Sequence, residues 1–326
     1  MYKVIIPFLT IVSDIKNDRL SRFLHWYINY HSRVIVEMFS LDLQFRELTL
    51  NDLGNIKKLS NSMGMLNDPK IGNTAEALIK DSKCLLYGAF LAEKLVGVGG
   101  LREKTKELAW IEDIRVHGNY QKKGIGLALF NYGEQLAREQ NYPKVGYQTV
   151  TENKGSCRIG EKLGFTRGHE MVAFVIKRNK AKKLFADSPV LTETPIETAL
   201  ELISKIPNGP KDEINIGWSY VPLTVDYFKQ DTRMKFFFEE NTMLLEFRDT
   251  SITTGEIDGV KAMVYGSKNN IPKLVKGFLK RSFNLNVWMC VLCPHELTDE
   301  LLKLGFKHTH VWTGNHNVVV LFTKNL

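Results

Sequence analysis

The stretch that most constrains this chain runs from Ile111 to Ala128: Ile-Glu-Asp-Ile-Arg-Val-His-Gly-Asn-Tyr-Gln-Lys-Lys-Gly-Ile-Gly-Leu-Ala. Its pattern predicts a strand over 107–117, a basic turn punctuated by glycine, and a helix opened by Gly124 that continues to about Gln140. Gly124 and Gly126 remove Cβ atoms where a ligand would approach the backbone, and a helix start adds unpaired N–H donors and the positive end of its dipole. The spacing therefore predicts an anion cradle at the end of a strand. It is not a dinucleotide fingerprint, because no third glycine follows at the required spacing, and it lacks the Gly-Lys-Ser/Thr of a P-loop.

The surrounding pattern predicts a mixed fold. A strand at 42–48 and a helix at 51–62, N-capped by Asn51 or Asp52, lead through a polar loop to a short helix near 73–80. Strands at 83–92 and 94–101 meet at a tight turn around Glu93. After the cradle helix come a strand at 144–150, a helix at 154–163 and an apolar stretch, 165–176, expected to close the unit. The second half predicts strands at 234–239, 243–248 and 260–265, a helix at 271–283, a strand at 285–291, a helix at 296–304, and strands at 306–312 and 317–323. Leu163-Gly164-Phe165 recurs as Leu304-Gly305-Phe306, each preceded by a strand and a helix, so the second half reads as a duplicate of the first.

Composition narrows the class. With 326 residues, 44% hydrophobic and 25% charged, the chain has apolar content for two folded units. No run reaches the ~18 apolar residues of a membrane span, and four cysteines in so long a chain do not make a disulfide framework. An untargeted, soluble, cytoplasmic protein that is a monomer or homodimer is expected. The net charge is +8, and residues 101–200, with 17 Lys+Arg against 12 Asp+Glu, supply +5 of it. The run 177–183 has no interleaved aromatics and reads as a solvated basic linker rather than a nucleic-acid patch. Phe23, Trp26, Tyr27 and Tyr30 suggest an aromatic-striped helix over 19–31, within an N-terminal extension.

Gln121-Lys-Lys-Gly124-Ile-Gly126-Leu-Ala128 resembles the Q/R-x-x-G-x-G/A signature of the GCN5-related N-acetyltransferase superfamily, and Asn153 to Phe165 resembles its second conserved block. The resemblance covers residues 41–177. It implies an α+β (α/β) fold of two acyl-CoA N-acyltransferase-like domains, each a curved, mixed, mostly antiparallel sheet flanked by helices. The expected organisation is an extension at 1–40, a catalytic domain at 41–178, a basic linker at 179–195 and a degenerate domain at 196–326. It further implies acetyl-CoA as donor and a primary amine, on a small molecule or protein N-terminus, as acceptor. No metal, nucleic acid or membrane partner is expected. The diphosphate is expected on backbone N–H groups of Gln121, Lys122, Lys123, Gly124, Ile125, Gly126, Leu127 and Ala128, with the two lysines available to the phosphates. Pantetheine would lie along Ile114, Arg115 and Val116, in a gap where strands 107–117 and 144–150 splay, and Asn153 and Ser156 are carried over as coenzyme contacts.

An attacking amine must lose a proton, and Glu112 is the candidate base; His117 is the alternative. Simple alternation places Glu112 with Trp110 and Ile114 on one face, and Asp113 with Ile111 and Arg115 on the other. One departure stands out. Many members carry a tyrosine that protonates the leaving thiolate where this chain has Gly160, a pattern closer to the branch that acetylates protein N-termini. The alternative class is a non-catalytic acyl-CoA-binding or regulatory module. Cys290 and Cys293 lie in an apparent buried strand and read as core thiols; His308 and His310 alternate along another strand. The second half has Gly266-Ser-Lys-Asn-Asn-Ile-Pro272 where a cradle would be, with Pro272 offering no N–H.

Overall fold

A computed structural model describes residues 42–63, 70–185, 188–207, 209–217, 219–309 and 318–326; the helix expected at 19–31, most of the loop after Met63, and His310 lie outside them. The first half runs β1 (Leu43–Glu47), α1 (Leu53–Asn61), α2 (Lys70–Lys80), β2 (Cys84–Leu91), β3 (Lys94–Thr105), β4 (Leu108–Val116), α3 (Ile125–Glu139), β5 (Lys144–Val150), α4 (Lys154–Lys162) and β6 (Thr166–Val175). One 3-10 turn, Leu50–Asp52, N-capped by Thr49, precedes α1, whose own N-cap position is Asp52, one of the two expected, although its side chain makes no cap hydrogen bond to α1. The Asp52 carboxylate instead accepts from the Thr49 N–H at 2.9 Å and from the Arg46 guanidinium at 2.7 Å, which holds its pKa down to about 2.

The second half contains α5 (Arg178–Leu184), α6 (Ile196–Ile203), β7 (Glu213–Asn215), β8 (Tyr220–Pro222), α7 (Val225–Gln230), β9 (Met234–Glu239), β10 (Thr242–Thr250), β11 (Ile257–Tyr265), α8 (Ile271–Ser282), β12 (Trp288–Cys293), α9 (Thr298–Lys303), β13 (Lys307–His308) and β14 (Val318–Asn325). The recurring Leu-Gly-Phe has a common physical cause. Gly164 (φ +75°) and Gly305 (φ +83°) end α4 and α9 in the left-handed conformation, and the following phenylalanine N–H reaches back to Gly160 O (2.9 Å) or Leu301 O (3.1 Å). Each half also contains one parallel pair, β4 with β5 and β11 with β12, in otherwise antiparallel surroundings.

The halves share one sheet, in the order β1-β2-β3-β4-β5-β14-β6-β12-β11-β10-β9. Residues 165–176 therefore do not close the first unit. β6 pairs with β12 on one side and with β13 and β14 on the other, while β14, the last strand of the chain, lies against β5. Each half completes the other's sheet. One core reflects this exchange, bringing Val150, Met171 and Ala173 together with Phe236, Met243 and Leu245. The basic run is not a free linker either: α5 buries Ala181, and the Arg178 guanidinium donates to Phe283 O at 2.6 Å. Its lysines remain on the exposed side because a one-turn apolar contact needs only Ala181 and its flanks.

Phe322 of β14 is fully buried and stacks on Tyr147 of β5 at 4.9 Å. Phe322→Ala is expected to destabilise the chain by about 3–5 kcal/mol in urea unfolding, with probes in both halves moving together. Separate transitions, with the first half unmoved, would contradict the shared sheet.

Candidate active site

The site begins where two strands part. β4 and β5 pair at only three positions, Leu108–Lys144, Ala109–Val145 and Trp110–Gly146, whereas β5 pairs with β14 at seven. Beyond Trp110 the gap-facing edge of β4 has no strand beside it. Along a strand, successive N–H groups point to opposite edges. The His117 N–H turns to Val96 O of β3 at 3.0 Å, so the Val116 N–H faces the gap, as does its carbonyl, which accepts from the Gln121 side chain at 3.3 Å.

A bulge re-aims β4 at this point. Val98 faces Arg115 and Gly100 faces Glu112, so Asp113 and Ile114 together oppose Gly99, and Asp113 adopts φ +54°. The extra residue corrects the expected faces. Trp110, Glu112 and Arg115 share one face, and Ile111, Ile114 and Val116 share the other, packed with α3 and α4. Thus Glu112 and Ile114 lie on opposite faces, and Arg115 joins Glu112.

The turn after β4 is shaped for close approach. Gly118 abuts Ser62 O, which a Cβ would meet at 2.3 Å, and its N–H donates to Ser62 Oγ at 3.1 Å. Lys122 (φ +60°) and Gly124 (φ +84°) are left-handed, and Gly124 caps α3. The Ala128 N–H takes the Gly124 carbonyl at 3.0 Å, so the first-turn donors of Ile125, Gly126 and Leu127 have no carbonyl one turn back to reach. The Ile125 and Leu127 side chains are buried. Gly126 differs from the structural glycines: a Cβ there would meet only Ile159 Cδ1 at 3.5 Å and Val116 Cγ2 at 3.9 Å. Nothing in the fold demands glycine at 126, while an approaching anion would.

Asn153 and Ser156 sit at the start of α4. The Asn153 Oδ1 accepts from the Ser156 N–H at 3.1 Å, so this side chain is engaged as the helix cap. Gly160 has a packing reason. A Cβ there would fall 2.0 Å from Tyr147 Oη, whose hydroxyl donates to Ser156 O at 2.9 Å. The phenol of β5 occupies the space that a residue-160 side chain would enter, and burial pushes its pKa upward.

Glu112 does not stand alone. Its Oε1 accepts from Arg102 Nε at 2.6 Å, Arg102 also binds Asp81 at 2.6 Å, and Lys104 Nζ stands 4.0 Å from Oε2. His117 caps the following turn, its Nδ1 accepting from the Asn119 N–H at 3.3 Å, and desolvation together with Lys94 lowers its pKa. The second half reaches this face of the sheet. Tyr220 and Leu321 cover Trp110, and the Gln148 amide of β5 donates to Gly217 O at 2.8 Å. Sequence reasoning missed Lys104, Tyr147 and Gln148; it read Gly160 as the loss of an acid, although a glycine at that position also signals a close neighbour such as the Tyr147 phenol.

In the second half the equivalent turn is closed differently. Gly266 (φ +115°) lies against Asn241 O, which a Cβ would meet at 2.3 Å, and Pro272 occupies the first turn of α8. A cavity of about 240 Å³ remains beside Ser267, Lys268 and Glu296. Cys290 and Cys293 are buried thiols, and burial pushes Cys290 up to about 12. Among the described residues no three His, Cys, Asp or Glu side chains cluster as a metal site, and no helix is long and apolar enough to cross a membrane.

Known proteins resemble this chain in sequence and in fold. Residues 59–165 match the model of the acetyltransferase (GNAT) family. Streptothricin acetyltransferase of Escherichia coli is 34% identical over 89 residues, 27% of this chain and 50% of that protein, so the match spans about half the length of that curated relative. A Thermoplasma acidophilum protein assigned as an acetyltransferase superposes with a TM-score of 0.54 at 13% identity, over 87% of this chain and 100% of that one, which shows a like fold through both halves. A Bacillus anthracis protein assigned as a streptothricin acetyltransferase, solved with acetyl coenzyme A, is 25% identical with a TM-score of 0.34, over 40% of this chain and 87% of that one.

Gly160→Ala is expected to cost about 1–3 kcal/mol in urea unfolding, and Tyr147→Phe in the same chain to recover part of it. Strictly additive losses would show that the phenol does not fill this space.

Proposed function

We propose that this chain, which carries an acetyltransferase (GNAT) family domain over residues 59–165, is an N-acetyltransferase that moves the acetyl group of acetyl-CoA to a primary amine by direct attack in a ternary complex. The observation that carries this reading is the start of α3, where the first-turn N–H groups have no carbonyl one turn back and Gly126 presents no side chain, beside the gap between β4 and β5. The coenzyme diphosphate rests on the N–H groups of residues 121–128, with Lys122 and Lys123 beside it. Pantetheine follows Ile114, Arg115 and Val116 into the gap, its amides pairing as an added strand would. The Val116 N–H then receives the thioester oxygen as the amine attacks, a contribution of about 3 kcal/mol.

Glu112 takes the amine proton. Arg102 fixes Oε1 and so orients the carboxylate, and Oε2, with only Lys104 Nζ at 4.0 Å beside it, is the oxygen that takes the proton. Gly160 supplies no acid, and a thiol of pKa ~8.5 leaves acceptably without one. The second half is a degenerate acetyltransferase-like domain that supplies β14 and roofs the acceptor face through Gly217 and Tyr220. The match to streptothricin acetyltransferase favours a small-molecule amine as acceptor, with peptide N-termini as the other class.

Two experiments test this reading. Calorimetry with coenzyme A should register binding, and Gly126→Ala should weaken it at least about tenfold while leaving folding stability unchanged or raised by up to ~1 kcal/mol. Equal weakening and unfolding would make the glycine merely structural. Thiol release from acetyl-CoA, assayed with streptothricin, other small amines and N-terminal peptides, should identify an acceptor, and Glu112→Gln should lower its kcat about 10²–10⁴-fold. Coenzyme binding with no release for any amine would instead favour a non-catalytic acyl-CoA-binding module.

A further inference from the structure

The turn that leads into the cradle gathers positive charge around one ring. The His117 N–H bonds Val96 O at 3.0 Å, so the start of β3 lies level with this turn and brings Lys94 beside it. Lys94 Nζ lies 5.0 Å and Lys123 Nζ 5.2 Å from the centroid of Tyr120, whose ring packs against the core of the first half. The His117 imidazole meets the same ring edge-on at 5.4 Å. Desolvation, followed by the charge of Lys94, lowers the His117 pKa, so these groups feel one another. Among the described residues neither lysine forms an ion pair with a carboxylate. A ring face is a weak partner for an exposed ammonium, and the like charges are held together without a counter-charge.

The position of this cluster says which anion it suits. Lys123 precedes by two residues the first of the unpaired donors, Ile125, to which the coenzyme diphosphate is assigned above. Coenzyme A carries one more phosphate, a monoester on its ribose C3′, joined to the diphosphate through a single ribose ring. The two groups must therefore be received close together. We infer that Lys94 receives the 3′-phosphate of the coenzyme, with Lys123 serving both this group and the diphosphate, and that the pair selects coenzyme A over its dephospho form. This rests on the coenzyme site proposed above. A compact dianion suits ammonium groups, which bind phosphate as point charges, and the packed Tyr120 ring gives both lysine stems a fixed support.

Calorimetry on the full chain tests this by comparing coenzyme A with dephospho-coenzyme A, which keeps the diphosphate and pantetheine and lacks only the 3′-phosphate. Coenzyme A should bind at least about tenfold more tightly. Lys94→Ala, at an exposed position, should reduce that ratio to about threefold or less while leaving the affinity for dephospho-coenzyme A unchanged. Equal binding of the two ligands by the unaltered chain, a ratio that Lys94→Ala does not move, or equal weakening of both ligands by Lys94→Ala overturns the inference, and the coenzyme site itself stands. If neither ligand binds, both fall.

Discussion

The pairing of β14 with β5 is the interaction on which the site depends. A strand beside β4 for its whole length would leave no room for a ligand. β5 is instead held along seven residues by the last strand of the chain and meets β4 at only three, so the two part after Trp110. A gap of that kind needs an external hold on the departing strand, because unpaired backbone groups are costly unless water or a ligand satisfies them. Here the hold comes from the second half.

This makes the duplicated half a structural necessity whatever chemistry it has kept. β6 and β14 exchange places at the centre of the sheet, and cross-ties reinforce the exchange. Lys324 of β14 donates to Glu134 of α3 at 2.8 Å and to Leu163 O at the end of α4. Lys144 of β5 pairs with Glu213 of β7. The cradle helix, the splayed strand and the face beside Glu112 are thereby fixed to one another through the second half. Such fixing is what the proposed reaction, which must position two substrates, would require.

Much of this was legible in the residues. The strand-turn-helix order, the Gly124 cap of α3 and the start of β5 at Lys144 after Pro143 follow from glycine spacing and punctuation, while the parting of β4 and β5 was what the family resemblance implied. What the sequence hid were effects of long range. A one-residue bulge at Asp113 leaves no mark on a short alternating strand, yet it moves Arg115 to the face of Glu112. Strand exchange is invisible because β6 and β14 have the same apolar character whichever neighbour they meet. Gly160 looked like a loss until Tyr147 was seen to occupy its space, and Glu112 looked solitary because Arg102 and Lys104 come from the neighbouring strand. The helices 178–184 and 196–203 were missed because they are short and their amphipathic faces are defined only by what they pack against.

The central claim is that backbone N–H groups at the start of α3 hold the coenzyme diphosphate. Amide hydrogen exchange across residues 122–127, with and without coenzyme A, tests it most directly. In the free chain these donors should exchange rapidly, and saturating coenzyme should slow them more than amides elsewhere in α3. Binding heat accompanied by no slowing at these positions would place the coenzyme elsewhere and contradict the account.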